Sequence, residues 1–268
     1  MRPLPPPSWM PRGYYGKIPR IITSIRELPS GVAPTLDNIP EINHTMIGTE
    51  PLSSLIWGMQ ETDFKRWGFV IFRTVYTEES QPLWESYIEF LKVSVEEYLE
   101  SKELSTLLNP LLEWVIIEDQ QTLNNAPKQH VRERFSAWVS QHFVERDGPE
   151  VPDAFRRQQF PRFRYCIYVD QKCLDTVAQY EAWAKAGAEG VGKQVVCVVL
   201  DKNCHRKGEG KGRFPRIEGC SREYTGWQYI SVHCLAGLYD KLSKQELSGY
   251  DYTRPPMVFP SDGPMPID

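Results

Sequence analysis

Charged and hydroxyl side chains set inside or at the ends of apolar runs are where this sequence offers chemistry. Arg73, Glu118, Arg164, Tyr168 and Asp170 hold such places, and His130 stands at the head of an amphipathic stretch. Arginine offers a planar fork of donors suited to a carboxylate or phosphate, so Arg73 and Arg164 are candidates for holding an anionic ligand. Glu118, His130 and Tyr168 are side chains able to move a proton, and a pocket between a sheet and the N-terminal arm would let them act as acid and base. If the run from Phe163 to Val169 is a strand, alternation puts Arg164, Cys166, Tyr168 and Asp170 on one face and Phe163, Tyr165, Ile167 and Val169 on the other. The polar face is then either an open ligand-binding face or one covered by the arm with arginine–carboxylate pairs inside. The second, purely structural account is favoured.

Other chemistries are weaker. Cys197, Cys204, His205 and Cys220 are zinc-type ligands, but their spacing is uneven, no CxxC pair occurs and Cys197 lies within a strand-like run. Buried structural cysteine is the better account, and no metal is expected. The adjacent pairs Cys204-His205 and His233-Cys234 do not by themselves aim an imidazole at a thiol. The stretch from Gly208 to Arg213 is rich in glycine and basic residues but lacks the closing Lys-Ser/Thr of a phosphate loop, so it reads as a solvated loop. Phe72, Tyr168 and Tyr229 could stack bases on an open sheet face, yet there is no Gly-Phe-Gly-Phe run and the basic residues cluster in that loop. Nucleic acid is not expected as a partner, and neither is a cofactor.

The balance of 31 basic and 35 acidic residues, a net charge of -4, provides no field that would draw the chain to nucleic acid or an anionic membrane. With 268 residues and 41% apolar composition, it can build a core without metals or disulfides. No apolar run is long enough to span a bilayer, and Met1 to Met10 lacks the apolar stretch of a signal peptide. A cytoplasmic protein with free cysteines is the expectation, with the nucleus left open.

The elements that must position these residues follow from periodicity. Strands are expected at Trp67–Tyr76, Trp114–Ile117, Phe163–Val169, Val195–Leu200 and Trp227–Val232, where β-branched and aromatic residues concentrate. A helix opening near Ser80 and Pro82 carries Trp84, Ile88, Leu91, Val95 and Leu99 on one stripe, and a second, after Asn125-Ala126-Pro127, carries Val131, Phe135, Trp138, Val139 and Phe143. Asp170 is placed to cap a third helix, and a short last helix holds Leu235, Leu238, Tyr239 and Leu242. Prolines crowd the ends, giving a proline-rich arm over 1–60 packed on its own domain, a single α+β domain over 61–247 and a proline-rich C-terminal tail over 248–268. The element order fits a ferredoxin-like split βαβ plait with extra helices; a doubly wound α/β sheet is the alternative.

Four segments, Trp67 to Thr74, His130 to Trp138, Phe163 to Asp170 and Gly226 to Val232, resemble a family of uncharacterised ascomycete fungal proteins over about residues 67–242. The resemblance implies domain limits and a fungal, intracellular protein, and carries no catalytic residue. The function expected is binding of a small molecule or protein partner without catalysis, at Arg73, Glu118, His130, Arg164, Tyr168 and Asp170. The alternative is a cofactor-independent enzyme of fungal small-molecule metabolism.

Overall fold

The apolar runs opening at Trp67, Trp114, Phe163, Val195 and Trp227 become strands of one mixed sheet in the computed structural model, which describes residues 21–42, 47–147 (backbone only for 143–147), 160–187, 193–204, 214–249 and 252–260. The strands are β1 (Val70–Arg73), β2 (Val115–Ile117), β3 (Tyr165–Val169), β4 (Val196–Asp201), β5 (Trp227–Ser231) and β6 (Val258–Phe259). Their order across the sheet is β2-β1-β3-β4-β5-β6. β1 pairs in parallel with β2 and β3, β4 is antiparallel to β3 and β5, and β6 is parallel to β5.

A mixed α and β architecture is what the periodicities implied, but this order departs from the plait. β1 and β2 are direct neighbours, with Val70 opposite Val115, whereas a split βαβ unit holds another strand between them. The parallel trio β2-β1-β3 is instead built as in a wound sheet, with the helix after β1 on one face and the helix after β2 on the other.

The helices are α1 (Ile21–Arg26), α2 (Ser53–Thr62), α3 (Ser80–Ser101), α4 (Ser105–Leu108), α5 (Gln120–Leu123), α6 (Lys128–Asp147), α7 (Pro161–Arg164), α8 (Gln171–Lys185) and α9 (Leu235–Leu242). The stripe Trp84, Ile88, Leu91, Val95 and Leu99 of α3 is buried as its spacing requires, and α3 packs on α8 and α9. Phe69 on this face meets Tyr239 of α9, with ring centroids 4.9 Å apart. The opposite face belongs to α6: Phe135 packs edge-on to Phe72 at 6.1 Å, and Arg132 donates to the carbonyls of Asp201 and Gly226. Val70, Phe72, Cys166, Tyr168, Val198, Leu200, Trp227 and Tyr229 share this face by register. It is therefore not an open polar face, nor an open stacking platform for RNA: α6 lies over it, and Phe72 is buried. Cys166, Cys173 and Cys197 are buried free thiols, Cys204, Cys220 and Cys234 partly exposed ones, and no group of three or more metal-type ligands occurs among the described residues.

Two sequence expectations change. Phe163 and Arg164 lie in the helical turn α7, because Pro161 takes the first position of a turn and β3 begins only at Tyr165. Val258–Phe259, placed in a tail, extends the sheet as β6, and Thr253 N donates to Gln228 Oε1 to bring the chain alongside β5. At the other end of the chain, Trp9, Tyr14, Tyr15 and Ile18 lie outside the described residues, while Ile21, Leu52, Leu55 and Ile56 are buried in the common core. No helix among the described residues is long and apolar enough to cross a membrane.

α2 has no cap of its own: Leu52, in the left-handed region at φ 59°, supplies no side-chain acceptor. Asp240 of α9 substitutes across the core, accepting from Leu55 N at 2.8 Å. Burial raises the Asp240 pKa above the ordinary carboxylate value, and backbone donors from Leu55 and Ser54 only partly offset this. Because the folded value is raised, this group's contribution to stability falls as pH rises through it. Asp240→Asn keeps an acceptor and removes the desolvated charge, so it is expected to melt within about 0.5 kcal/mol of the wild type and without that pH dependence, whereas Asp240→Ala should cost about 1–2 kcal/mol. Urea melts at about pH 4 and about pH 7 would check both.

Candidate ligand-binding cavity

β1 and β3 deliver the chain to α3 and α8 on one face of the sheet, whereas α6 enters from the other. Their carboxyl ends therefore open into a gap between helices of two faces. A crevice beyond the carboxyl ends of parallel strands is where open α/β sheets hold ligands. A cavity of about 520 Å³ lies there, within the range of roughly 300–1,000 Å³ for small-molecule sites.

Its walls come from segments distant in sequence. Thr74 and Val75 follow β1, Asn125 and Lys128 open α6, and Asp170, Gln171 and Lys172 join β3 to α8. The strand face supplies Tyr168, Trp227 and Tyr229, and the rim is made by Arg216–Glu218 and Pro255–Pro256. Local hydrogen bonds fix the frame. Thr74 N and Oγ1 both donate to Val169 O, at 3.0 and 2.8 Å, and Asn125 N donates to Thr74 O at 2.8 Å. Asp170 caps α8, its Oδ1 accepting from Cys173 N at 3.1 Å.

One corner is aromatic and holds a cation from the protein itself. The Lys128 side chain is only 7% exposed, and its ammonium sits 4.8 Å from the Tyr168 ring centroid and 4.0 Å from that of Trp227. Glu218 pairs with it at 2.6 Å. The two phenols differ. Tyr168 Oη donates to Ala126 O at 3.0 Å, while the Tyr229 hydroxyl has no hydrogen-bond partner among the described residues and its oxygen opens on the cavity, the residue as a whole being 5% exposed. Burial pushes the Tyr168 pKa up to about 12 and raises that of Tyr229 as well, so both stay protonated donors through the physiological range.

Of the six residues expected from sequence to bind a ligand, Tyr168 and Asp170 line this cavity and Arg73, Glu118, His130 and Arg164 do not. Arg73 points to the α3 face, where Nε donates to Val75 O and Nη1 to Gln81 and Glu118. Its guanidinium also stacks on Tyr76 and Trp84, at 4.7 and 5.1 Å. Those neighbours make the Arg73–Glu118 pair a structural pin between the ends of β1 and β2. Arg164 stands at the opposite end of β3 from Asp170, about 20 Å away by strand rise, and pairs with Glu246 at 3.0 Å and, more loosely, Asp201 at 3.8 Å. His130 lies on α6 near Glu133, its Nδ1 3.9 Å from that carboxylate, with Nε2 buried and unpartnered.

Lys128, Lys172, Trp227 and Glu218 escaped the sequence reading as site residues, and Tyr229 entered it only as a base-stacking candidate. The available signals were small: a lysine directly after Pro127 at a helix start, and two aromatics two apart in Trp227-Gln228-Tyr229. The chain matches no family model, no curated protein and no solved structure.

Proposed function

We propose that the protein binds a small molecule in the cavity at the carboxyl ends of β1 and β3 and does not transform it. The observation that carries this is the aromatic corner of Tyr168, Trp227 and Tyr229, set between the first turns of α6 and α8 at the ligand crevice of the parallel strands. The alternative, a cofactor-independent enzyme of fungal small-molecule metabolism, drew on Glu118, His130 and Tyr168 as proton carriers. Only Tyr168 of these lines the cavity, and its hydroxyl is committed to Ala126 O.

The test is native mass spectrometry of the full chain purified gently from the cells that make it. A retained compound is expected, and it should be lost in Gln171→Trp, which places a bulky ring at an exposed lining position without touching the core. Chemical conversion of that compound by the purified protein would instead establish the enzyme. Retention unaffected by Gln171→Trp would move the site elsewhere.

A further inference from the structure

The charges around the cavity select among occupants. Three basic side chains, Lys128, Lys172 and Arg216, line it against two acidic ones, Asp170 and Glu218. Both acids have work within the protein: Asp170 caps α8, and Glu218 neutralises the ammonium of Lys128. That ammonium already fills the place over Tyr168 and Trp227 where an aromatic cage would receive a cationic ligand. Arg216 stands exposed on the rim with no carboxylate partner among the described residues.

The backbone adds to this. α6 has 20 residues and α8 has 15, and both begin at the cavity, through Lys128 and through Gln171 and Lys172. A helix start carries roughly half a positive charge and first-turn N–H groups without acceptors in the helix. Independently of the helices, the Tyr229 hydroxyl is a protonated donor on a nine-tenths-buried side chain with no acceptor among the described residues. Its oxygen is open to the cavity, where water or a ligand group can accept from it.

We infer that the cavity takes a small aromatic acid, its ring against the wall made by Trp227 and Tyr229 and its carboxylate accepting from the Tyr229 hydroxyl, with Arg216 supplying positive charge. This rests on the small-molecule reading above and narrows it to one ligand class. A neutral aromatic would satisfy the ring contacts and leave the donors unanswered. A cationic one would meet Lys128.

The experiment compares phenylacetate, phenylacetamide and phenethylamine, which share a ring and differ in charge, binding to the full chain by ligand-observed NMR and thermal shift. Phenylacetate is expected to bind at least about tenfold more tightly than the amide, about 1.4 kcal/mol, with the amine weakest. In Tyr229→Phe/Arg216→Gln, which leaves the ring wall in place and changes one exposed residue, the preference should fall below about threefold while amide binding persists. Equal binding of acid and amide, or tightest binding of the amine, would reject the acid and leave the cavity as a small-molecule site. The same rejection follows if the double variant keeps the full preference. Failure of all three compounds to bind at about 10 mM, well above the ~1 mM affinity of an ordinary fragment, or binding that survives Gln171→Trp, would reject both the class and the cavity.

Discussion

Replacing Arg162 by alanine is expected to destabilise the protein by about 3–5 kcal/mol, the cost of breaking a buried ion pair from one side. Arg162 is 0% exposed, yet it sits where three parallel strands begin. Its Nη1 donates to Gly68 O at 3.0 Å, just before β1, and to Glu113 O at 3.2 Å, just before β2, and Nη2 pairs with the Glu113 carboxylate. Arg162 itself leads into β3, so one guanidinium ties the amino ends of β2, β1 and β3. Gly68 shows how closely the segments approach: at φ +110°, a Cβ there would lie 2.7 Å from Glu113 O. Alanine removes the donor from the buried Gly68 carbonyl and the part-buried Glu113 carbonyl, and takes the Arg162 cation from the Glu113 carboxylate. Methionine would refill most of the volume, and the 30% exposed Glu113 side chain could turn to water, so Arg162→Met should cost less than Arg162→Ala. Urea melts of Arg162→Ala, Arg162→Met and Arg162→Met/Glu113→Gln would separate packing from charge. A loss below about 1 kcal/mol in Arg162→Ala, the size of an ordinary exposed pair, would show that the strand ends hold themselves.

Several elements were legible because their determinants are local. The spacing of Trp84, Ile88, Leu91, Val95 and Leu99 requires a helix whatever lies around it, and all five are buried. Asp170 was readable as a cap for the same reason, since its acceptor serves a donor only three residues on. What failed was non-local. Phe163-Arg164 alternates with Tyr165-Cys166 just as a strand would, and only the packing of Pro161 into a turn decides otherwise. Strand order depends on which apolar faces meet, and β2 pairs with β1 across more than forty intervening residues that a pattern search treats as separate. The cavity suffered most from this. Lys128, Tyr168, Trp227 and Tyr229 come from three segments and acquire meaning only when the sheet brings them together. Arg73 misled in the opposite direction: Tyr76, Ser80, Gln81 and Trp84, all within eleven residues of it, already occupy its guanidinium.

Removing the first 61 residues is expected to abolish cooperative folding. Ile39, Ile42, Leu52, Leu55, Ile56 and Met59 all belong to the common core, and the last three are fully buried. Large side chains of this kind contribute roughly 1.5–3 kcal/mol each on burial, which together is comparable with the ~5–15 kcal/mol net stability of a whole domain. α2 is held specifically as well as by apolar contact. It packs on α9, its Leu55 N is capped by Asp240, and Gly58 lets it approach Phe160 so closely that an added Cβ would lie 3.1 Å from the ring. The preceding turns lean on the same helix: Gln60 accepts from Ile42 N at 2.9 Å and donates to the carbonyls of Leu36 and Pro40, both at 3.2 Å. Deletion would thus expose the core-facing surface of α9 and Phe160 while discarding what covered it. The graded comparison uses Leu55→Ala and Ile56→Ala in the full chain, each expected to cost about 2–5 kcal/mol, beside a chain beginning at Thr62. Urea unfolding followed by fluorescence would report both midpoint and slope. The shortened chain should show a broad transition or none, and the two alanine variants an earlier midpoint with the slope unchanged. If the chain beginning at Thr62 unfolds with the midpoint and slope of the intact protein, α2 is an appendage, and the burial of Leu55 and Ile56 contributes nothing to the stability of the sheet.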